Sequence, residues 1–308
     1  MKSLLFDFLK VTENAAISSA PWIGLENKFA ADLAATNSMR DTLNKIDFQG
    51  KVVIGEGEMD KAPMLFIGEK LGATSEPQLD IAVDPIDGTK AVAYNYNNAI
   101  SVIAFASKDT LLHAPDIYME KMVVGPEANG KIDLEKPLLD NLKIIAESKS
   151  KKLKELNVYV QNRPRNKAHI EQIKKVGAKV YLFQDGDILH SLTTCMRNKN
   201  IDLFVGIGGA PEGVLSSVAI KSLGGDMNAK LLPKNEQEFD KCLKMNISDP
   251  NKILRLNDLI QTEKCVFIAT GITKNLLINK IKHKENKFCT HSMLISGEEK
   301  ILRYITTE

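Results

Sequence analysis

Long apolar runs, paired cysteines and an excess of charge of one sign are all missing from this chain of 308 residues. No apolar stretch approaches the roughly 20 residues of a membrane helix, so no membrane partner is expected. The 41 Lys and Arg nearly cancel the 39 Asp and Glu, leaving a formal net charge of +2. A broad nucleic-acid surface needs a strong basic excess, so no nucleic acid is expected either. Cys195, Cys242, Cys265 and Cys289 form no C-x-x-C pair, which leaves a zinc site or redox dithiol without support. Free thiols in a reducing compartment are the simpler reading. Asp7 interrupts the apolar start before a signal-peptide core forms, so the expected location is the cytoplasm. His113, His169, His190, His283 and His291 have no paired spacing and accompany no Ser or Cys motif. They read as structural or surface residues, and a Ser/Cys–His nucleophile has no support. Internal repeats, low-complexity segments and a disordered linker are also absent.

What remains is an ordinary soluble composition, 44% hydrophobic and 26% charged, of a length for one or two joined domains. Apolar residues at helical spacing predict an amphipathic helix at the start and a second over about 26–45. Strands follow at 51–55, 79–83 and 99–105, with a helix over 63–71 opened by Pro63 and stopped by Gly72. After residue 116 the pattern weakens, and 137–156 reads as a lysine-rich helix. Strands at 157–161, 179–183 and 201–205 then alternate with helices at 167–176, 188–197 and 214–222. This alternation argues for an α/β layer. The tail carries strands at 266–269 and 292–295 around a lysine-rich segment. The division is placed at a change of architecture: an N-terminal α+β half (1–150) and a C-terminal α/β half (151–308).

The chemistry is concentrated at strand ends. Residues 79–83 are followed by Asp84-Pro85-Ile86-Asp87-Gly88-Thr89, two carboxylates bent together after an apolar strand. Glu56, Glu58 and Asp60 follow an earlier strand, Glu212 a later one, and Asp32 lies on the second helix. Carboxylates converging without histidine suit Mg²⁺ or Mn²⁺ better than zinc. Thr89 after Gly88 reads as a helix N-cap, which would leave the helix N-terminus facing a phosphate.

Arg163-Pro164-Arg165 sets two guanidinium forks around a stiff residue, a match for phosphate oxygens. Such a pair also serves as plain solvated surface charge. Asp185-Gly186-Asp187 reads equally as a capped turn, though it follows a strand's carboxyl end, where α/β sheets place ligands. Residues 206–213 form a glycine-rich turn that is neither a Walker A loop nor G-x-G-x-x-G, and it carries Glu212 into the next helix.

Together these residues resemble the lithium-sensitive, metal-dependent phosphatase superfamily, and within it bacterial class II fructose-1,6-bisphosphatase. The carriers are Asp84 to Thr89, Trp22-Ile23-Gly24, Val53 to Glu58, Ala62 to Leu65, Arg163 to Arg165, Asp185 to Asp187 and Gly206 to Gly213. The resemblance runs from about residue 10 to 225, with a weaker echo at Ala269 to Thr273. It implies a layered αβαβα sandwich, a homo-oligomer (homodimer or homotetramer), and the gluconeogenic hydrolysis of fructose 1,6-bisphosphate to fructose 6-phosphate and phosphate. By position it implies Asp32, Glu56, Asp84, Asp87 and Glu212 as ligands of Mn²⁺ or Mg²⁺. It also implies Asp87, Gly88, Thr89, Tyr118, Arg163, Pro164, Arg165, Asp185, Gly186, Asp187 and Gly209 as substrate contacts. Thr89, Asp60 and Lys28 would be catalytic, with Asp32 or Asp60 as the partner of Thr89. Arg163 stands where the family usually has Lys, Asp87 where it more often has Glu, and Thr273-Lys274-Asn275 where Asp-Gly is usual.

The rival readings are an inositol-monophosphatase-like enzyme, a sedoheptulose-1,7-bisphosphatase, a non-catalytic sugar-phosphate sensor and a dinucleotide-dependent oxidoreductase. The first lacks its late Trp-Asp motif, since Trp22 is the only tryptophan. A sensor would have lost a metal ligand or Thr89. The oxidoreductase lacks its glycine fingerprint and acidic ribose partner.

Overall fold

A computed structural model of the chain describes residues 1–57, 64–285 and 287–308. In chain order the elements begin α1 (Leu5–Ser19), α2 (Lys28–Leu43), β1 (Gln49–Ile54), β2 (Lys70–Leu71), β3 (Gln78–Asp87), α3 (Thr89–Ala93) and β4 (Ile100–Ser107). Next come β5 (Tyr118–Val124), α4 (Leu138–Ser148), β6 (Asn157–Gln161), α5 (Lys167–Lys175), β7 (Lys179–Phe183), α6 (Asp187–Leu192) and β8 (Leu203–Gly209). Then follow α7 (Ala210–Ser222), β9 (Asp226–Leu231), α8 (Glu236–Lys244), β10 (Ile253–Arg255) and α9 (Leu256–Leu259). The chain closes with β11 (Cys265–Gly271), β12 (Lys282–Lys284), β13 (Lys287–Ser296) and β14 (Ile301–Thr307). Two mixed sheets with their helices give the α/β class expected from the sequence.

The first unit joins Met1–Leu111 to Thr262–Glu308. Its sheet runs β12-β13-β11-β4-β3-β1-β2, with β14 paired to β13. The apolar stripes of α1 and α2 pack on one face of it, because alternate strand residues point the same way. Ile81 lies opposite Phe105, and Phe105 opposite Val266, all on that face. Phe8 of α1 stacks on Phe105 at 3.7 Å and meets Phe48 edge-on at 5.4 Å. α2 opens on Asn27, whose side chain accepts from the Ala30 amide at 3.0 Å, a regular N-cap.

The helix expected over 63–71 is corrected for the described residues. Residues 64–69 bond back across the chain: Glu56 N–H donates to Leu65 O, Ile67 N–H to Gly57 O, and Gly68 N–H to Val52 O. Leu65 and Gly68 have positive φ, +53° and +98°, which no α-helix tolerates. β2 then pairs antiparallel with β1.

The second unit is Leu112–Gln261, with sheet order β10-β9-β5-β8-β6-β7. β6 runs parallel to both β7 and β8, while β5 is antiparallel to β8 and β9. α4 and α5 bury Leu142, Ile145 and Ile173 against Val158, Val160 and Val205. The sequence division at 150 falls inside this unit, after β5 and α4. Residues 262–308 return to the first sheet, where β11 pairs with β4 and β13. Pairings so distant in sequence leave no local signal, and β5 lay in the stretch where the pattern weakened.

Candidate active site

In the first unit the site is made by an irregularity in β3. Asp84 opposes Val102 and Asp87 opposes Ile100 across β4. Three steps on β3 therefore match two on β4, so a bulge at Pro85–Ile86 holds one extra residue. Val102 and Ile100 share a face of the sheet. Simple alternation would put Asp84 and Asp87 on opposite faces; the bulge gives them the same one. Pro85 is tolerated there because bulges free a strand position from the ladder.

β1 runs parallel to β3 with Ile54 beside Ala82. Glu56 lies two residues past Ile54, and Asp84 two past Ala82, so both reach the same carboxyl-terminal edge. Asp87 is buried, Asp84 and Glu56 half-buried. Such a donor set contains only oxygen and fits a hard divalent cation. Among the described residues no three His, Cys, Asp or Glu side chains form a ready-made cage. A Mg²⁺-type ion does not require one, because water and phosphate fill part of its shell.

Gly88, at φ +95°, turns the chain from β3 into α3. Thr89 was expected to be the N-cap of that helix. The cap position instead belongs to Gly88, no side chain caps the helix, and Thr89 is its first residue. The left-handed glycine makes the turn so tight that its own carbonyl accepts the first helical bonds, from Ala91 at 2.8 Å and Val92 at 3.2 Å. The lead-in to α2 is tied to α3, with Gly24 N–H donating to Val92 O and Glu26 N–H to Ala93 O. Lys28 and Asp32 are i,i+4 on α2 and so share a helix face. The Lys28 ammonium lies 5.5 Å from the Tyr94 ring centroid. Burial holds the Asp32 carboxyl above its ordinary pKa, an effect that a nearby cation reverses. Glu58 and Asp60 lie outside the described residues.

In the second unit, the parallel strands β6, β7 and β8 deliver Arg163–Arg165, Asp185–Asp187 and Gly209 to one edge. β5, running the other way, starts there with Tyr118 opposite Gly209. Arg163 donates to Asp185 Oδ1 at 2.7 Å. Arg165 donates to Ile207 O and Gln161 Oε1, and its guanidinium lies 4.6 Å from the Tyr118 ring centroid. Buried Asn166 pins the loop by bonding Gln161 O and both the N–H and O of Ile207. Pro164 starts a short 3-10 turn, and Gly186, at φ +95°, occupies the cap position before Asp187.

The glycine-rich turn expected at 206–213 is a strand end and a helix start. Residues 206–209 close β8, and α7 begins at once with Ala210. A Cβ on Gly208 would strike Asp187 Oδ2, and one on Gly209 would strike the Glu212 carboxylate. These glycines are therefore space-makers for acidic side chains. Burial raises the Glu212 pKa; nearby Lys121 lowers it, while Asp187 and Asp116 raise it.

Sequence reasoning missed two cations. Lys121, 3% exposed, donates to Asp187 Oδ2 at 2.8 Å and to Gly209 O at 3.0 Å. Its only sequence signal is the charged pair Glu120-Lys121 inside the otherwise apolar segment Met119 to Val124. Exposed Lys234 lies 4.3 Å from the Tyr118 ring centroid, beyond any pattern that was read. The cysteines are all free, and burial pushes the Cys195 thiol up to about 12, which disfavours its thiolate.

Carboxylates at one sheet edge, with arginine forks and carboxylates at another, point to the class of metal-dependent sugar-phosphate phosphatases. Comparison with known proteins agrees. The family described as bacterial fructose-1,6-bisphosphatase, glpX-encoded, matches residues 2–308, and the chain belongs to that family. It is 44% identical to fructose-1,6-bisphosphatase 1 class 2 of Escherichia coli K12, over 99% of this chain and 94% of the relative. The class 2 enzyme of Haemophilus influenzae is also 44% identical, covering 99% and 95%. A Trichodesmium erythraeum protein named D-fructose 1,6-bisphosphatase class 2/sedoheptulose 1,7-bisphosphatase is 38% identical, covering 98% and 94%. The family carries a divalent-metal requirement. No helix among the described residues is long and apolar enough to cross a membrane.

Proposed function

We propose that this protein hydrolyses the 1-phosphate of fructose 1,6-bisphosphate to give fructose 6-phosphate and inorganic phosphate, a gluconeogenic reaction. The observation that carries the reading is the bulge in β3, which gives Asp84 and Asp87 one face beside the strand end bearing Glu56. Asp32, Glu56, Asp84, Asp87 and Glu212 are assigned as ligands of Mn²⁺ or Mg²⁺. Bound there, such cations neutralise phosphate charge and acidify a water.

Thr89 orients the attacking water, and Asp32 or Asp60 takes its proton. The water oxygen bonds to phosphorus as the bond from phosphorus to the sugar oxygen breaks, and that oxygen leaves with a proton. Lys28, on the same helix face as Asp32, adds positive charge. Arg163, Arg165 and Tyr118 anchor the distal phosphate, assisted by the rigid Pro164. Asp185 and Asp187 accept hydrogen bonds from sugar hydroxyls, and Gly88, Gly186 and Gly209 let backbone approach the ligand. The enzyme is assigned to the cytoplasm, as a homodimer or homotetramer.

A second reading, activity on sedoheptulose 1,7-bisphosphate, is favoured by the dual name of the 38% identical relative. A panel of metals against fructose 1,6-bisphosphate, sedoheptulose 1,7-bisphosphate and inositol 1-phosphate separates the readings by phosphate release. Preference for inositol 1-phosphate, or no release with any metal, contradicts the proposal.

A further inference from the structure

The second unit contains a buried lysine, Lys121, that the reaction, as described, leaves without a role. Met119, Lys121 and Val123 alternate onto one face of β5, and Gly213 of α7 packs there against Met119 and Lys121. An ammonium so enclosed needs hydrogen-bond partners and a counter-charge. Lys121 finds both in Asp187 Oδ2 and Gly209 O. Each partner leads to a residue assigned to ligand binding. Asp187 opens α6 and is itself only 7% exposed. With Oδ2 held by Lys121, its other oxygen, Oδ1, is buried and has no hydrogen-bond partner among the described residues. Gly209 leads directly into the first turn of α7, whose Glu212 folds back over the Gly209 backbone. The ammonium therefore pairs directly with one carboxylate, Asp187, and acts electrostatically on a second, Glu212.

We infer that Lys121 is a positioning residue for the sugar. By binding one oxygen of Asp187 it fixes the carboxylate and leaves the other oxygen as an unpaired acceptor for a sugar hydroxyl, while its charge offsets that of Glu212. This rests on the proposed function, because it takes Asp187 as a sugar contact. The lysine acts through Asp187, so its loss and the loss of Asp187 should weaken binding by one shared amount rather than by two multiplied amounts.

The test measures binding of fructose 6-phosphate to the full chain by calorimetry without added metal, alongside thermal melting. The variants are Lys121→Met, Asp187→Asn and the double variant, which removes both charges and so relieves the unpaired buried group. Expected are a roughly tenfold or greater rise in Kd for each single variant, the worth of a hydrogen bond to a charged acceptor. The double variant should melt above Lys121→Met and yet bind no better than either single. A Lys121→Met protein with wild-type affinity overturns the inference, as does a double variant whose losses multiply or whose affinity recovers along with its melting temperature. A double variant that does not fold also overturns it, since a role in folding alone then suffices. Failure of wild-type protein to bind fructose 6-phosphate at all would instead reject the proposed function.

Discussion

His190 makes folding sensitive to acid in a calculable way. Its ring is buried in α6, stacked on Phe183 at 3.8 Å, edge-on to Tyr159 at 4.8 Å, with Nδ1 2.7 Å from Gly186 O. Burial lowers its pKa from 6.5 to about 4, against the opposing pulls of the Gly186 carbonyl and Asp187. Between those values the unfolded chain takes up a proton that the folded ring refuses. Stability therefore falls as the pH falls through that window, and this ring has no such effect above it. At about 1.4 kcal/mol per tenfold change in proton affinity, the drop is worth about 3 kcal/mol. Urea unfolding at a series of pH values from 7 downward, for wild type and His190→Asn, isolates this group from the carboxylates that also titrate. The asparagine keeps an N–H donor near the Nδ1 position but cannot titrate. Its lost ring contacts cost a constant amount, so the slope against pH is diagnostic. Wild type should lose about 3 kcal/mol more than the variant on acidification to pH 4. Parallel slopes, or a His190 ring that titrates near 6.5 by NMR in the folded protein, would refute the reasoning.

Other consequences are equally direct. Phe105→Ala removes the ring stacked on Phe8 and should cost about 3–5 kcal/mol in urea unfolding, as large core deletions do. Gly88→Ala forces a side chain into φ +95°, with a Cβ 3.3 Å from Asn98 O. A loss of about 1–2 kcal/mol is expected on melting, with a fall in kcat because Thr89 follows directly. Arg165→Met should raise KM for fructose 1,6-bisphosphate several-fold with little change in kcat, seen in steady-state phosphate release, because its proposed contact is remote from the reacting phosphorus.

Much of this was legible before any coordinates. β6 and β7 occupy the expected residues, since each is a short apolar-rich run bounded by polar or turn residues. The Asp84 to Thr89 segment carried the expectation of a divalent-cation site through its residue types and spacing alone. Its geometry was not readable in this way: register against β4 creates the shared face, and register is a property of two strands. The same limit hid the return of 262–308 to the first sheet and the strand β5. Helix signals misled at 64–69, where Pro63 and Gly72 suggested helix boundaries but the backbone bonds to β1 and its following loop. Thr89 displaced by Gly88 from the cap is a smaller case, decided by one dihedral. Lys121 was unreadable because the pair Glu120-Lys121 looks the same in sequence whether the lysine faces solvent or is buried.

The proposed reaction depends on a cation held at the bulged end of β3. Titrating Mn²⁺ against phosphate release from fructose 1,6-bisphosphate, with wild type and a folded Asp84→Asn variant, tests it directly. Saturable metal activation is expected in wild type and, in the variant, a large loss of kcat with a higher half-activating concentration. Matching activation curves would contradict it.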